Sequence, residues 1–167
     1  MVYYGDEVGM YGADDPSDRK PMIWADLPPN DDPNERIERD VLDHYRRVIA
    51  IRNSYPCLQT GAFRTLESRD DMGIYAFCRS LNDESVVVVF NNSDKAHRLD
   101  LPSPWADGTR VDRADDSKAF EIVEPKDAAM RATVRPTGKH KSSLKVEQGR
   151  LHGCMIEPRS SAVFVKS

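Results

Sequence analysis

The sequence predicts a mainly β protein, in which an antiparallel β-sandwich follows a short section of strand, loop and helix. Two observations predict this fold class. From residue 60 onward, apolar residues alternate with polar ones in ten short segments, spaced at about the 8–12 residues typical of a sandwich. Before them, over residues 33–54, apolar residues recur at helical spacing. The 167 residues are 39% hydrophobic and 31% charged, which suits one ordinary domain or a small domain with an appendage.

The N-terminal section begins with a short apolar strand over residues 2–4, which leads into Gly5. An acidic, glycine-containing loop follows, then a basic pair, Arg19 and Lys20, and then the apolar and aromatic segment Pro21–Trp24. A lone strand here has no sheet to join. We therefore expect an unpaired edge at this end of the chain.

The helix predicted over residues 33–54 has a clear start signal. Asp32 suits the N-cap, Pro33 fits the first turn, and Glu35 completes an aspartate-headed version of a capping box. Pro56 is expected to end the helix. One face carries an apolar stripe that should be buried against another element: Ile37, Val41, Tyr45, Val48 and Ile49.

Ten strands are predicted after the helix, over residues 62–67, 73–80, 85–91, 96–101, 109–114, 118–123, 130–135, 143–147, 151–157 and 161–166. The run VVVVF at 86–90 is apolar throughout, as in a central strand covered on both faces. The residues after it, Asn91–Ser93, indicate a turn. The last segment, with Ala162 and Phe164, is predicted to be an edge or closing strand.

Charge and composition exclude several classes of function. A net charge of −4 and a pI near 5.6 argue against nucleic acid as a partner, since nucleic acid requires a basic surface. No window approaches the roughly 18 apolar residues of a membrane span, so no membrane partner is expected. Three cysteines without C-x-x-C spacing favour reduced thiols and a cytoplasmic location. Together with the four histidines they lack ligand spacing, so neither a metal nor a cofactor is expected.

No self-contained catalytic constellation is present in the sequence. The adjacent Asp6 and Glu7 should point to opposite sides of a strand end, so they make a poor cooperating pair. Asp14 and Asp15 lie in a loop, where nothing in the sequence would raise one pKa to make a general acid. Nucleophile and phosphate-binding motifs are also absent. We predict no catalytic residue in this chain.

One segment does indicate ligand binding. Asp15 and Arg19 are four residues apart, with Pro16 between them, and a carboxylate and a guanidinium so placed could together bind the vicinal hydroxyls of a glucose unit. Trp24 could stack on a sugar face. The alternative is structural, with Asp15 and Arg19 clasping the loop and Trp24 filling a core. The spacing leaves both open.

At these residues the chain resembles the α-amylase superfamily, whose members are retaining glycoside hydrolases and transglycosidases built on a (β/α)₈ barrel. The resemblance is nearest to the neopullulanase, cyclomaltodextrinase and maltogenic amylase branch. It is carried by YYGDEVGM (Tyr3–Met10), DDPSDRKPMIWAD (Asp14–Asp26), HYRRVIAIRNSYPCLQTGAF (His44–Phe63), IYAFCRS (Ile74–Ser80) and VVVVFNNS (Val86–Ser93). These resemble the eighth barrel strand, the loop after it, the last barrel helix, and the first strands of the C-terminal β-sandwich.

The resemblance implies that residues 1–56 are the last strand, loop and helix of a barrel, and that residues 57–167 are the sandwich. It implies that Asp15 and Arg19 bind glucose units on the non-reducing side of the scissile bond of an α-glucan. The family's three catalytic carboxylates precede the eighth strand. The expected function is therefore that of a C-terminal fragment of a glycosidase of carbohydrate metabolism, non-catalytic alone, which stabilises the barrel and supplies one substrate loop.

Two other interpretations remain open. The chain could be a free-standing carbohydrate- or protein-binding β-sandwich, in which case Trp105, Phe120 and Tyr75 are the candidates for an aromatic platform. It could also be half of a split enzyme, completed by another chain that carries the first seven strands. The apolar stripe and the orphan strand predict contact through residues 1–50, either with the missing barrel or with another copy.

Overall fold

The computed structural model describes residues 1–24, 27, 36–115, 120–123, 133–136 and 144–167. The chain divides into two compact units. The first comprises residues 1–49 with 122–134, and the second comprises residues 50–121 with 135–167. The predicted domain boundary at residue 56 stays a prediction.

The first unit opens with a tight turn and not with the expected strand. No strand covers residues 2–4, because a strand needs a neighbour to pair its backbone groups. Instead a 3₁₀ turn, Asp6–Val8, lies between Gly5 at φ 96° and Gly9 at φ 69°. Both glycines occupy the left-handed region, which side chains with a Cβ rarely adopt. Val8 is buried, and its carbonyl accepts a 2.9 Å hydrogen bond from the backbone N–H of Glu38.

Two helices follow. Helix α1 spans Arg39–Ser54 and helix α2 spans Pro56–Thr60. Helix α1 thus ends before Pro56, as predicted, but it begins at Arg39 and residues 36–38 are not helical, so the predicted start at residue 33 is wrong for these three residues. The predicted cap at Asp32, Pro33 and Glu35 lies outside the described residues. Two positions of the predicted stripe, Val48 and Ile49, are 48% exposed.

Each of the ten predicted strands is present with bounds close to those expected. They are β1 (Ala62–Arg69), β2 (Ile74–Leu81), β3 (Glu84–Asn91), β4 (His97–Pro102), β5 (Arg110–Arg113), β6 (Phe120–Val123), β7 (Thr133–Pro136), β8 (Leu144–Glu147), β9 (Arg150–Ile156) and β10 (Ser160–Lys166). Strands β6 and β7 pair with each other, and the other eight form one sheet in the order β1-β2-β3-β10-β5-β8-β9-β4. Antiparallel ladders join β1 to β2, β2 to β3, and β3 to β10. The predicted mainly β, sandwich-like fold class is confirmed.

Strand β3 lies at the centre of the sheet, as its sequence predicts. Its two faces pack into different clusters. Val87 and Val89 lie among the side chains of β2, β4, β9 and β10, which shows that the sheet folds over to enclose a core. Val86 and Val88 pack on the opposite face, against Cys57 of α2. The all-apolar run therefore reflects burial on both sides.

Strand β10 is a central strand, so the prediction of an edge or closing strand is wrong. It pairs with β3 on one side and with β5 on the other. Both faces of β10 are covered, which agrees with a central position in the sheet. Ala162 and Phe164 point into the main core, while Val165 packs in the cluster on the opposite face. Apolar residues on both faces suit a covered strand better than an edge strand.

A buried asparagine closes one end of the second unit. Asn91 is 2% exposed, and its amide nitrogen donates to the carbonyls of Lys95 at 2.7 Å and Glu157 at 2.8 Å. Its side-chain oxygen accepts hydrogen bonds from the backbone N–H and the hydroxyl of Ser93 at 3.0 and 2.7 Å. The predicted turn after β3 is thereby tied to the end of β9.

All three cysteines are free and buried. Burial is the main cause that raises the pKa of both Cys57 and Cys154 to about 12, so neither thiol ionises near neutral pH. None of the helices in the described ranges is long and apolar enough to cross a membrane.

Candidate functional site

The candidate site is the loop of residues 14–20 in the first unit, which folds as two overlapping turns. The backbone N–H of Ser17 donates to the carbonyl of Asp14 at 2.8 Å, and that of Arg19 donates to the carbonyl of Pro16 at 3.1 Å. The turns bring residues 15 and 19 to the same side of the loop. Aspartate, serine and proline favour such turns because they satisfy or preset the local backbone.

Asp15 and Arg19 form an ion pair, as the structural alternative expects of a pair that clasps the loop, and a role in sugar binding stays a prediction. A guanidinium nitrogen of Arg19 donates to Oδ1 of Asp15. The two side chains remain 70% and 64% exposed. An ion pair this exposed contributes little to stability, typically about 0–1 kcal/mol. It leaves carboxylate lone pairs and guanidinium N–H groups open to a ligand, and vicinal hydroxyls require acceptors and donors of this kind.

Trp24 follows the loop and is 56% exposed. The structural alternative, in which Trp24 fills a core, is therefore wrong for this side chain. An exposed aromatic face is suited to stacking on an apolar ligand face. A role for Trp24 in sugar binding stays a prediction.

The loop is held at its far end by Tyr4. The Tyr4 hydroxyl donates to the Lys20 carbonyl at 3.0 Å, across 16 residues of sequence. Desolvation and the neighbouring Tyr3 raise the pKa of Tyr4. The charge of Asp18 adds to this effect and that of Arg19 opposes it. The sequence does not predict this contact, because no local pattern links residues so far apart.

The two carboxylates of the 3₁₀ turn have local structural partners. Oδ2 of Asp6 accepts from the backbone N–H of Tyr3 at 3.3 Å, and Oε2 of Glu7 accepts from that of Gly5 at 3.0 Å. They therefore hold the turn, and they do not cooperate as a catalytic pair would. In the ranges that the structure covers, no three His, Cys, Asp or Glu side chains come together as metal ligands.

The exposed aromatic residues of the second unit are not the ones predicted for a free-standing binding module. Trp105 is only 9% exposed and packs in the main core, so it cannot serve as a surface platform. The side chain of Phe120 lies outside the described residues. The outer face of β1–β3 instead carries exposed Phe63 and Phe90 on either side of Phe77, with ring centroids 5.0 and 6.2 Å from that ring.

Comparison with known families and sequences gives a consistent picture. Residues 63–139 match the family described as "Maltogenic Amylase, C-terminal domain". Over 137 residues the chain is 33% identical to neopullulanase 2 of Thermoactinomyces vulgaris, a match that covers 81% of this chain and 21% of that protein. It is 32% identical over 101 residues to a cyclomaltodextrinase of Geobacillus thermopakistaniensis (strain MAS1), covering 60% of this chain and 16% of the relative. The chain thus spans between about a sixth and a fifth of the length of these relatives.

Solved structures share the fold. An Anoxybacillus α-amylase superposes with a TM-score of 0.69 over 99% of this chain and 28% of its own, at 19% identity. The protein Ttha1563 of Thermus thermophilus superposes with a TM-score of 0.67 over 99% of this chain and 27% of its own, at 25% identity. At 19% identity, the first of these establishes the fold alone.

Proposed function

This chain resembles the C-terminal part of the neopullulanase, cyclomaltodextrinase and maltogenic amylase branch of the α-amylase superfamily, and from that premise we propose that it acts as the C-terminal part of an α-glucan-active glycoside hydrolase. In this role it is non-catalytic by itself. The second unit stabilises the catalytic domain, and the loop of residues 14–20 contributes to glucan binding. The names of the relatives refer to pullulan and cyclomaltodextrins, and α-glucans are therefore the substrate class we assign.

The observation that carries the binding role is the exposed Asp15–Arg19 pair on a loop with its own internal hydrogen bonds. Its carboxylate and guanidinium are held together without being buried. Vicinal hydroxyls of a glucose unit can accept from Arg19 and donate to Asp15. Trp24, nine residues after Asp15, supplies an exposed apolar ring for the sugar face.

We test the absence of catalysis by measuring reducing-sugar release from maltodextrin, γ-cyclodextrin and pullulan. We expect no release by the purified chain above that of its Asp15→Asn variant, which controls for contaminating host amylase. Turnover that Asp15→Asn abolishes would place a working carboxylate pair within these residues and would sink the proposal.

We also propose that residues 1–50 form a contact surface, either with a catalytic barrel or with a second copy of the chain. This region exposes several large apolar side chains: Val2, Tyr3, Tyr11, Trp24, Val48 and Ile49. Light scattering at increasing protein concentration tests whether a second copy of the chain binds this surface. We expect mass to rise with concentration, and less so in Val48→Ser/Ile49→Ser. A constant monomer mass would exclude self-association, and co-purification with a chain that carries the other barrel strands would indicate a split enzyme.

A cytoplasmic location is a further part of the proposal, supported by three cysteines that are free and buried. Fractionation of the producing cell, followed by detection of the chain with an antibody, tests it. Recovery of the chain from the medium or the envelope would contradict it.

A second candidate function is favoured by one observation. Phe63 and Phe90 are 55% and 44% exposed on the outer face of β1–β3, which is the kind of surface that a free-standing binding module would use. Electrophoresis in gels that contain glycogen separates the two candidates. Retardation lost in Asp15→Asn supports the loop, whereas retardation lost in Phe63→Ala supports the module.

A further inference from the structure

Tyr4 lies where it can control the geometry of the Asp15–Arg19 pair. Its hydroxyl donates to the carbonyl of Lys20, the residue directly after Arg19. The near end of the loop is closed by the turn hydrogen bonds to Asp14 and Pro16. Without the hydrogen bond from Tyr4, these local turns would still restrain the backbone between Asp15 and Arg19. The Lys20 end of the loop, however, would no longer be attached to the N-terminal turn.

Tyr4 is itself held in place by the turn that follows it. The backbone N–H of Gly5 donates to Oε2 of Glu7 at 3.0 Å, and the N–H of Met10 donates to the Gly5 carbonyl at 2.9 Å. Gly5 at φ 96° permits this reversal, and a Cβ there would lie 2.8 Å from Sδ of Met10. The Tyr3 ring, with its centroid 4.8 Å from that of Tyr4, adds a side-chain contact.

The 3₁₀ turn is itself attached to the segment that leads into helix α1. The Val8 carbonyl accepts from the N–H of Glu38, just before α1 begins at Arg39. A continuous set of hydrogen bonds therefore leads from the start of the helix, through the 3₁₀ turn and Tyr4, to Lys20. At this end, a phenol hydroxyl anchors the loop.

We propose that Tyr4 is a positioning residue for glucan binding: its hydroxyl fixes the end of the loop so that Asp15 and Arg19 present their polar groups in one orientation. This inference rests on the proposed function of the loop. An oriented pair binds more tightly than a mobile one, because less conformational freedom is lost when the ligand arrives. Tyr4 acts through the loop and does not need to touch the sugar.

The first measurement is loop order in Tyr4→Phe, which removes only the hydroxyl. We expect backbone ¹⁵N order parameters of residues 17–19 to fall from rigid values of about 0.85 towards about 0.6, while those of β2 and β3 stay unchanged. Tyr11→Phe is the matched control, because Tyr11 is 75% exposed. Unchanged order in the Tyr4 variant would overturn the inference whether or not the chain binds sugar.

The second measurement is the dissociation constant for maltoheptaose, obtained from the changes in NMR chemical shifts during a titration with the sugar. We expect Tyr4→Phe to weaken binding about threefold to tenfold, as for the loss of one hydrogen bond, at an unchanged melting temperature. Combined with Asp15→Asn, it should add little further loss, since both changes disable the same pair. Two results would overturn the positioning role alone. One is that the losses of binding free energy from the two substitutions add in full, and the other is that Asp15→Asn weakens binding but Tyr4→Phe does not. Wild-type affinity in Asp15→Asn would overturn the proposed function.

Discussion

Single side chains hold this protein together at points that no local pattern reveals, and Asn91 is the clearest case. The run Asn91–Ser93 predicts a turn, and a turn is present. The sequence does not show that the first asparagine is buried and bonded to carbonyls more than sixty residues away. The same holds for Tyr4 and Lys20. Turn chemistry is local and predictable, whereas a side chain's distant partner depends on the completed topology.

Replacement of Asn91 by alanine should be strongly destabilising. The change removes the amide that donates to the buried carbonyl of Ile156, and the loss of a buried hydrogen bond is costly. The carbonyls of Lys95 and Glu157 keep the hydroxyls of Ser93 and Ser160 as donors. We expect the free energy of unfolding, measured in urea, to fall by roughly 2–4 kcal/mol. Lys95→Ala, at an exposed position on the same turn, should change it by less than about 0.5 kcal/mol. Equal effects of the two substitutions would contradict this role.

Asp100 should make stability depend on acid pH. The backbone N–H of Gly153 and then His152 lower the pKa of Asp100 below its usual range. A depressed carboxyl pKa contributes stability above its unfolded value of about 3.9, and the contribution is lost as pH falls through the folded pKa. Wild type should therefore melt above Asp100→Asn at pH 7, and the difference should shrink as pH falls below about 4. A difference in melting temperature independent of pH would refute the assignment.

Elements differ in how well the sequence predicts them. Strand positions are read from a period of two, which is a local property, and all ten were found close to their expected bounds. Strand order is not local: the sequence predicts β10 as an edge or closing strand, but the sheet places it between β3 and β5. The strand predicted over residues 2–4 is absent for a related reason, since a strand exists only where a partner lies beside it.

The central position of β10 predicts a large effect for Phe164→Ala. This ring is 1% exposed and lies in the main core, so truncation should cost about 3–5 kcal/mol in the free energy of unfolding. Met155→Ala on β9, where the side chain is 49% exposed, is the control and should cost less than about 1 kcal/mol. A cost for Phe164→Ala near that of the control would contradict the burial of this ring in the main core.

At the scale of the whole molecule, the two units should differ in local stability. The second contains the folded-over sheet and its main core, while the described N-terminal part of the first is a set of turns with many exposed side chains. We expect amide hydrogens of β2, β3 and β10 to exchange slowest, near the global unfolding limit, and those of residues 5–19 to exchange much faster. Equal protection in the two regions would contradict this expectation.

The main fold class and the Asp15–Arg19 pair were thus predictable, while the contacts that anchor them were not. Alternation and helical spacing are visible in the printed sequence, and an ion pair at a spacing of four is a local event. The location of Trp105 in the core could not be read from the sequence, because a tryptophan suits a core as well as a platform.

The placement of β10 beside β3 has a consequence for biosynthesis. Ala162 lies opposite Val89, so β3 leaves the ribosome long before its partner on that side has been translated. During this interval a run of four valines and a phenylalanine has one open edge and no complete core around it. Such a segment is prone to pair with other nascent chains, and chaperones that hold extended apolar segments should bind it until β10 arrives. Synonymous codons that slow translation between β3 and β10 should therefore lower the soluble yield without changing the finished protein.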